Sequence, residues 1–160
     1  MLAPLDEEIL RQLFESFHRE KVEYVLVGGL ALLIQGLGRT TEDVDFFVAP
    51  GEANTMKVRA ALDAVFHDPE IAGITAQDLS GEYGVVRYGP PSHDFVIDFL
   101  VQVGEMFSYA DLAWEEKSFA GVPVRVATPR TLYRMKRGTA RALDRADAEQ
   151  LRRRFSLDED

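Results

Sequence analysis

Two aspartates one residue apart, Asp43 and Asp45, open a short apolar run that continues to Val48. Side chains alternate along a strand, so residues two apart share a face, with backbone positions about 7 Å apart. Val44 and Phe46 then face the core, and both carboxylates face away from it. Carboxylates so spaced can converge on Mg²⁺, which takes hard oxygen ligands and leaves room for water and phosphate. An isolated pair could equally be a solvated strand entrance, so its surroundings decide. Upstream, Gly28 and Gly29 interrupt the run from Tyr24 to Ile34. A turn without side chains lets backbone N–H groups approach a phosphate, and a helix starting there offers its positive end.

A two-metal site needs a further acid, because one ion activates the attacking oxygen and the other steadies the leaving phosphate. The stretch from His93 to Val101, HDFVIDFLV, supplies it. Asp94, Val96, Asp98 and Leu100 fall on one face, and Phe95, Ile97, Phe99 and Val101 on the other. Asp98 stands inside a strongly apolar strand, where an acid costs free energy unless paired or metal-bound. It is the favoured third carboxylate. Asp94, at the strand start, is the fallback.

The elements that must hold these residues follow from periodicity. Residues 5–20 form an amphipathic helix through Leu5, Ile9, Leu10, Leu13, Phe14 and Phe17, with Asp6, Glu7 and Glu8 at its positive end. Residues 23–27 form a buried strand, 30–35 a short helix stopped by Gly36 and Gly38, and 44–48 a second strand. A helix over 52–66 turns Met56, Leu62, Val65 and Phe66 inward. Residues 67–79 read as a loop. Strands over 82–88 and 93–101 flank Gly89-Pro90-Pro91-Ser92 and form an antiparallel pair. A short helix falls within 104–114. A hairpin of 117–120 and 122–126 turns at Gly121, with Pro123 marking an edge strand. Thr128-Pro129 starts a helix reaching about residue 141. A last helix covers 145–155, and 156–160 is a frayed tail. The order implies an α+β fold: one domain over 1–160, its mixed β-sheet core over about 22–126 with helices packed against it, and a C-terminal helical pair over about 129–155.

Bulk properties narrow the chemistry. The 160 residues suffice for one domain with a real core. The chain has no cysteine, which excludes disulfides, thiolate zinc sites and a cysteine nucleophile, and fits a cytoplasmic protein. The N-terminus lacks the basic region and apolar run of a signal peptide. The longest apolar run has 11 residues, against roughly 20 for a membrane span. A formal net charge of −9 opposes broad nonspecific binding to nucleic acid. Between Arg130 and Arg154, however, nine Lys or Arg face three acids, which leaves a local anion-binding face possible. His18, His67 and His93 are scattered without ligand-like spacing. Trp114, with Tyr109 and Phe107, reads as the edge of a core rather than a base-stacking platform.

Val27-Gly28-Gly29, 13 residues, then Asp43-Val44-Asp45-Phe46 resembles the signature of the polymerase-β-type nucleotidyltransferase superfamily. That signature is an apolar residue, Gly, Gly or Ser, a spacer, then an Asp-apolar-Asp-apolar strand, with a third Asp on a later strand. Gly29 stands where many relatives carry Ser, which leaves phosphate contacts to backbone donors. Within the superfamily, Arg39-Thr40-Thr41-Glu42-Asp43, the Thr-Pro helix start, Lys136, Arg141, Asp144 and Asp147 resemble small bacterial proteins related to abortive-infection (type IV) toxins of toxin–antitoxin pairs. The resemblance implies that Asp43, Asp45 and Asp98 are catalytic and hold Mg²⁺ (or Mn²⁺). It implies that Gly28, Gly29, Arg39, Thr40, Thr41, Lys136 and Arg141 hold the nucleotide. The implied reaction moves a nucleoside monophosphate from an NTP such as ATP to an acceptor hydroxyl. The acceptor would be a tRNA 3′ end, a protein or a small molecule such as an aminoglycoside, and an antitoxin would be a partner. The alternative is a catalytically silent protein of the same fold that binds nucleotides or a partner.

Overall fold

The structure is a computed structural model that describes residues 6–38, 42–80, 84–103, 107–137 and 142–157. Arg39, Thr40, Thr41, Arg141 and the end of the tail, expected to fray, lie outside the described residues. The α+β architecture expected from the sequence is observed. Helix α1 (Glu7–Arg19) begins where Asp6 accepts hydrogen bonds from the Glu8 and Ile9 N–H groups at 2.9 and 3.3 Å, which satisfies two otherwise unpartnered donors. It ends in a Schellman motif: Val22 N–H reaches Phe17 O, Lys21 N–H reaches His18 O, and Lys21 takes a left-handed φ of 59°. Its buried face is Leu10, Leu13, Phe14 and Phe17.

Strand β1 (Tyr24–Val27) runs directly into α2 (Gly28–Ile34), so the glycine pair opens the helix rather than preceding it. Strand β2 (Asp43–Val48) follows, then α3 (Glu52–Phe66). The stretch expected to be a loop holds a 3₁₀ turn at Pro69–Gly73 and a one-turn helix α4 (Ala76–Leu79). Strands β3 (Val85–Tyr88) and β4 (Val96–Leu100) pair antiparallel across Gly89–Ser92, as their spacing implies. A two-stranded ribbon, β5 (Gln102–Val103) and β6 (Phe107–Ser108), and a 3₁₀ turn at Tyr109–Asp111 take the place of the expected short helix. Strands β7 (Trp114–Phe119) and β8 (Val122–Ala127) form the hairpin. Helices α5 (Pro129–Arg137) and α6 (Ala142–Phe155) close the chain, and Thr128 Oγ1 caps α5 by accepting from Thr131 N–H at 3.2 Å.

The large sheet has the order β3-β4-β2-β1-β8-β7. β2 lies antiparallel to β1 and parallel to β4, and β8 lies parallel to β1. Pro123 is therefore not on an edge strand; β8 sits between β1 and β7. Pro123 precedes the Leu26–Val126 pairing that joins β8 to β1. In that splayed stretch the Arg125 N–H is taken by the Tyr24 hydroxyl at 3.2 Å. The main core lies under α1, where Phe14, Phe17, Tyr24, Phe46 and Phe99 pack ring against ring, with Phe17 and Phe46 centroids 4.7 Å apart. Helix α3 buries Asn54, Thr55, Val58, Ala61 and Leu62 instead of the expected Met56, which is exposed. Asn54 is drawn inward by backbone groups. It accepts from Glu23 N–H at 2.8 Å and donates to Glu23 O and Ala49 O, both at 3.0 Å.

Candidate active site

The sheet register assembles the acids. Across β2 and β4, Asp45 lies directly opposite Asp98, and Asp43 lies opposite Val96. The entrance of the pair is fixed by the Val96 N–H, which donates to Glu42 O at 3.2 Å. On the other side of β2, Asp45 faces Val27, the residue before Gly28. Asp98 is 7% exposed although its strand neighbours Ile97 and Phe99 are fully buried. Asp94 is exposed and lies ahead of β4, outside this row.

Gly28 carries a structural requirement of its own. Its φ is +74°, in the left-handed region, and a Cβ there would collide with the Asp45 carboxylate. Only glycine meets both conditions at this junction without strain. Gly29 is buried in the first turn of α2. That helix has seven residues, so its dipole contributes less to phosphate binding than the sequence suggests.

Asp45 is the electrostatic centre of the group. Its carboxyl is pushed up to about 7, chiefly because burial strips its solvation. The Asp98 and Asp43 charges repel its anionic form, and a hydrogen bond with Asp98 favours the proton further. The Lys136 ammonium pulls the other way, so α5 brings its positive charge within reach of the carboxylates. Lys136 is itself clamped: its Nζ lies 3.0 Å from Asp144 Oδ1 and 3.0 Å from Asp147 Oδ2, and all three side chains are largely buried. Asp144 and Asp147 sit three apart on α6 and so face α5 together. The two acids thus support the lysine rather than merely favouring the start of α6.

Arg87 was not foreseen from the sequence. It stands opposite Asp98 across β3 and β4 and grips its carboxylate with two hydrogen bonds, Nε to Oδ1 at 2.9 Å and Nη2 to Oδ2 at 3.1 Å. The Asp98 hydrogen bond and charge hold the guanidinium more firmly in its cationic form. The signal that could have found it is an opposite-charge pair facing across an antiparallel hairpin, which depends on the register through the intervening turn. Arg39, Thr40, Thr41 and Arg141 lie outside the described residues.

The donor set suits a hard divalent cation. Three carboxylates crowd one strand end, and burial together with their mutual repulsion favours a proton on Asp45, a surplus of negative charge that a cation would relieve. Among the described residues, no three acidic or histidine side chains close into a ready-made cage. Mg²⁺ does not need one, since it is commonly held by one or two carboxylates together with water and substrate phosphates.

Comparison with solved structures shows a shared fold. A lincosamide antibiotic adenylyltransferase bound to lincomycin shares the fold with a TM-score of 0.58 at 14% identity, covering 94% of this chain and 98% of that one. ANT(2″)-Ia in complex with adenylyl-2″-tobramycin gives 0.56 at 15% identity, with 93% and 88% covered. An antigenic nucleotidyltransferase-like protein from Paracoccidioides brasiliensis gives 0.56 at 16% identity, with 93% and 78% covered. No curated protein matches the sequence significantly. The family described as nucleotidyl transferase AbiEii toxin, type IV TA system, matches residues 8–152. That span reaches from α1 through Lys136 to the last turns of α6, and the chain belongs to the AbiEii nucleotidyl transferase family.

Proposed function

We propose that the protein transfers a nucleoside monophosphate from an NTP to an acceptor hydroxyl, with Mg²⁺ (or Mn²⁺) held by Asp43, Asp45 and Asp98. The observation that carries this reading is the Asp45–Asp98 pair, set side by side across parallel strands with the side-chain-free Gly28 against Asp45. A bound divalent ion would supply Lewis-acid charge to the phosphate oxygens. Gly28 and Gly29 leave the backbone open for the triphosphate to approach Asp45. Lys136, steadied by Asp144 and Asp147, places a fixed positive charge near the phosphates, where charge develops as pyrophosphate departs. Arg39, Thr40, Thr41 and Arg141 complete the nucleotide contacts in this reading. The acceptor oxygen attacks the α-phosphorus in line. A new O–P bond forms, the bond to the pyrophosphate oxygen breaks, and Asp98 accepts the hydroxyl proton.

The acceptor is a tRNA 3′ end, a protein hydroxyl or a small molecule. The solved relatives with lincomycin and adenylyl-2″-tobramycin add weight to the last of these. The match to a family described as a type IV toxin supports a toxin–antitoxin setting, and we assign the protein the toxin role, countered by an antitoxin. Incubation with each labelled NTP, Mg²⁺ and either total RNA, lysate protein or aminoglycosides tests the reaction. A labelled product that disappears with Asp45→Asn and with EDTA is the expected result. Turnover in Asp45→Asn equal to the parent would overturn it.

The bidentate Arg87–Asp98 pair favours one other reading, because it satisfies Asp98 without a metal. In that reading the chain binds nucleotides without turning them over. Calorimetry that shows NTP binding, together with no pyrophosphate release from any NTP and acceptor pool, would select it.

A further inference from the structure

A cavity lies at the other end of β1 from the carboxylates, between the end of α1 and the splayed face of the β7–β8 hairpin. Its volume is about 270 Å³. Tyr24 forms part of its wall, and Tyr24 pairs with Val48 whereas Val27 pairs with Asp45, so the cavity opens three residues down the strand from the acids. Trp114, Arg125, Tyr24, Lys21, His18 and Glu116 supply its chemistry. Trp114 is 43% exposed and is the single tryptophan of the chain, while Tyr109 and Phe107 pack against the core. The Arg125 guanidinium lies 4.8 Å from the centroid of its ring, and such a cation–π contact fixes the indole in place. Arg125 is held in turn from behind, because its backbone N–H is bound by the Tyr24 hydroxyl. Lys21 is fixed by the left-handed turn that ends α1.

The cavity therefore combines a pinned aromatic surface with three basic side chains against one acid. Aromatic rings buried in part at a pocket mouth, with a few convergent polar groups, are the usual makings of a small-ligand site. An indole and a guanidinium together accept the flat face of an aromatic ring, and Arg, Lys and His bind an anionic substituent at its rim. We propose that this cavity binds a small planar aromatic ligand that carries an anionic group, with its ring on Trp114 and Arg125 and its anion toward Lys21 and His18. A nucleoside monophosphate and an aromatic carboxylate both have this chemistry. The site is separate from the carboxylate cluster, and its existence does not depend on the transfer reaction.

Because Trp114 is the only tryptophan, its fluorescence reports the cavity directly. The purified full chain would be titrated in EDTA with AMP, CMP, 4-hydroxybenzoate, adenosine and inorganic phosphate, with calorimetry in parallel. The expected result is a saturable change in emission with AMP and CMP, or with 4-hydroxybenzoate, and at least tenfold weaker binding of adenosine and of phosphate alone. Arg125→Gln is expected to weaken binding at least tenfold. Lys21→Asn, which keeps the left-handed backbone preference, is expected to weaken it severalfold with unchanged circular dichroism. Asp45→Asn is expected to leave it unchanged. No saturable signal with any probe would overturn the proposal, as would binding that is lost in Asp45→Asn and kept in both cavity variants.

Discussion

The Asp45 carboxyl is pushed up to about 7 in the folded chain, against 3.8 ordinarily, chiefly by burial and then by the neighbouring carboxylates. The folded state therefore binds more protons than the unfolded state between these values, and stability falls as pH rises from about 4 to about 7. Above that window the full cost persists. In metal-free buffer at pH 8, Asp45→Asn is expected to gain ~2 kcal/mol over the parent, with no gain at pH 4, by urea denaturation. The same variant should lose turnover by on the order of 100-fold or more. Arg87→Ala tests the neighbouring acid. It leaves Asp98 buried beside Asp45 without its partner, so its melting temperature without Mg²⁺ should fall by about a few degrees. Mg²⁺ should restore more of that loss than it adds to the parent, by scanning fluorimetry. A Mg²⁺ increment equal in the two proteins would refute this. Asp98 was legible in the sequence because an acid in the apolar run FVIDFLV demands a partner. The partner was not legible, because Arg87 is largely exposed and alone resembles any charged residue on an edge strand.

At the level of elements, two joints govern the site. The first is the β1–α2 junction. Gly28→Ala forces both a left-handed φ and a collision with Asp45, so it should cost about 1–3 kcal/mol in chemical denaturation and abolish transfer. The second is the α5–α6 contact at Lys136. Lys136→Met leaves Asp144 and Asp147 facing each other in a largely buried setting and should destabilise by about 3 kcal/mol. Adding Asp144→Asn and Asp147→Asn to that variant should recover part of the stability without recovering activity. Most elements were readable because apolar periodicity and turn residues agree: α1, β1, β2, the two hairpins and the Thr128 cap all fall where that pattern places them. Helix α3 misled because three backbone hydrogen bonds rotate Asn54 inward, which hydrophobicity alone does not weigh. The position of β8 misled because Pro123 signals a missing donor, and the sheet meets that by splaying β8 from β1 rather than by placing it at the edge.

At the scale of the whole molecule, the sheet joins the strands that carry the acids and the C-terminal hairpin into one hydrogen-bonded array, and the N-terminal helix packs on it through Phe14 and Phe17. We therefore expect residues 1–160 to unfold as one cooperative unit, with calorimetric and van't Hoff enthalpies equal. Two separated transitions would assign the C-terminal helices a stability of their own. Among the described residues, no helix is long and apolar enough to cross a membrane. The sheet order has a further consequence for synthesis. Strand β1 pairs early with β2, its near neighbour in the chain, but its other side waits for β8, a hundred residues later at the Leu26–Val126 pairing. On the ribosome, that flank of β1 stays open until β8 has emerged. Lys136, beyond β8, arrives later still. A nascent chain can thus gather its three carboxylates well before it gains the lysine that offsets them.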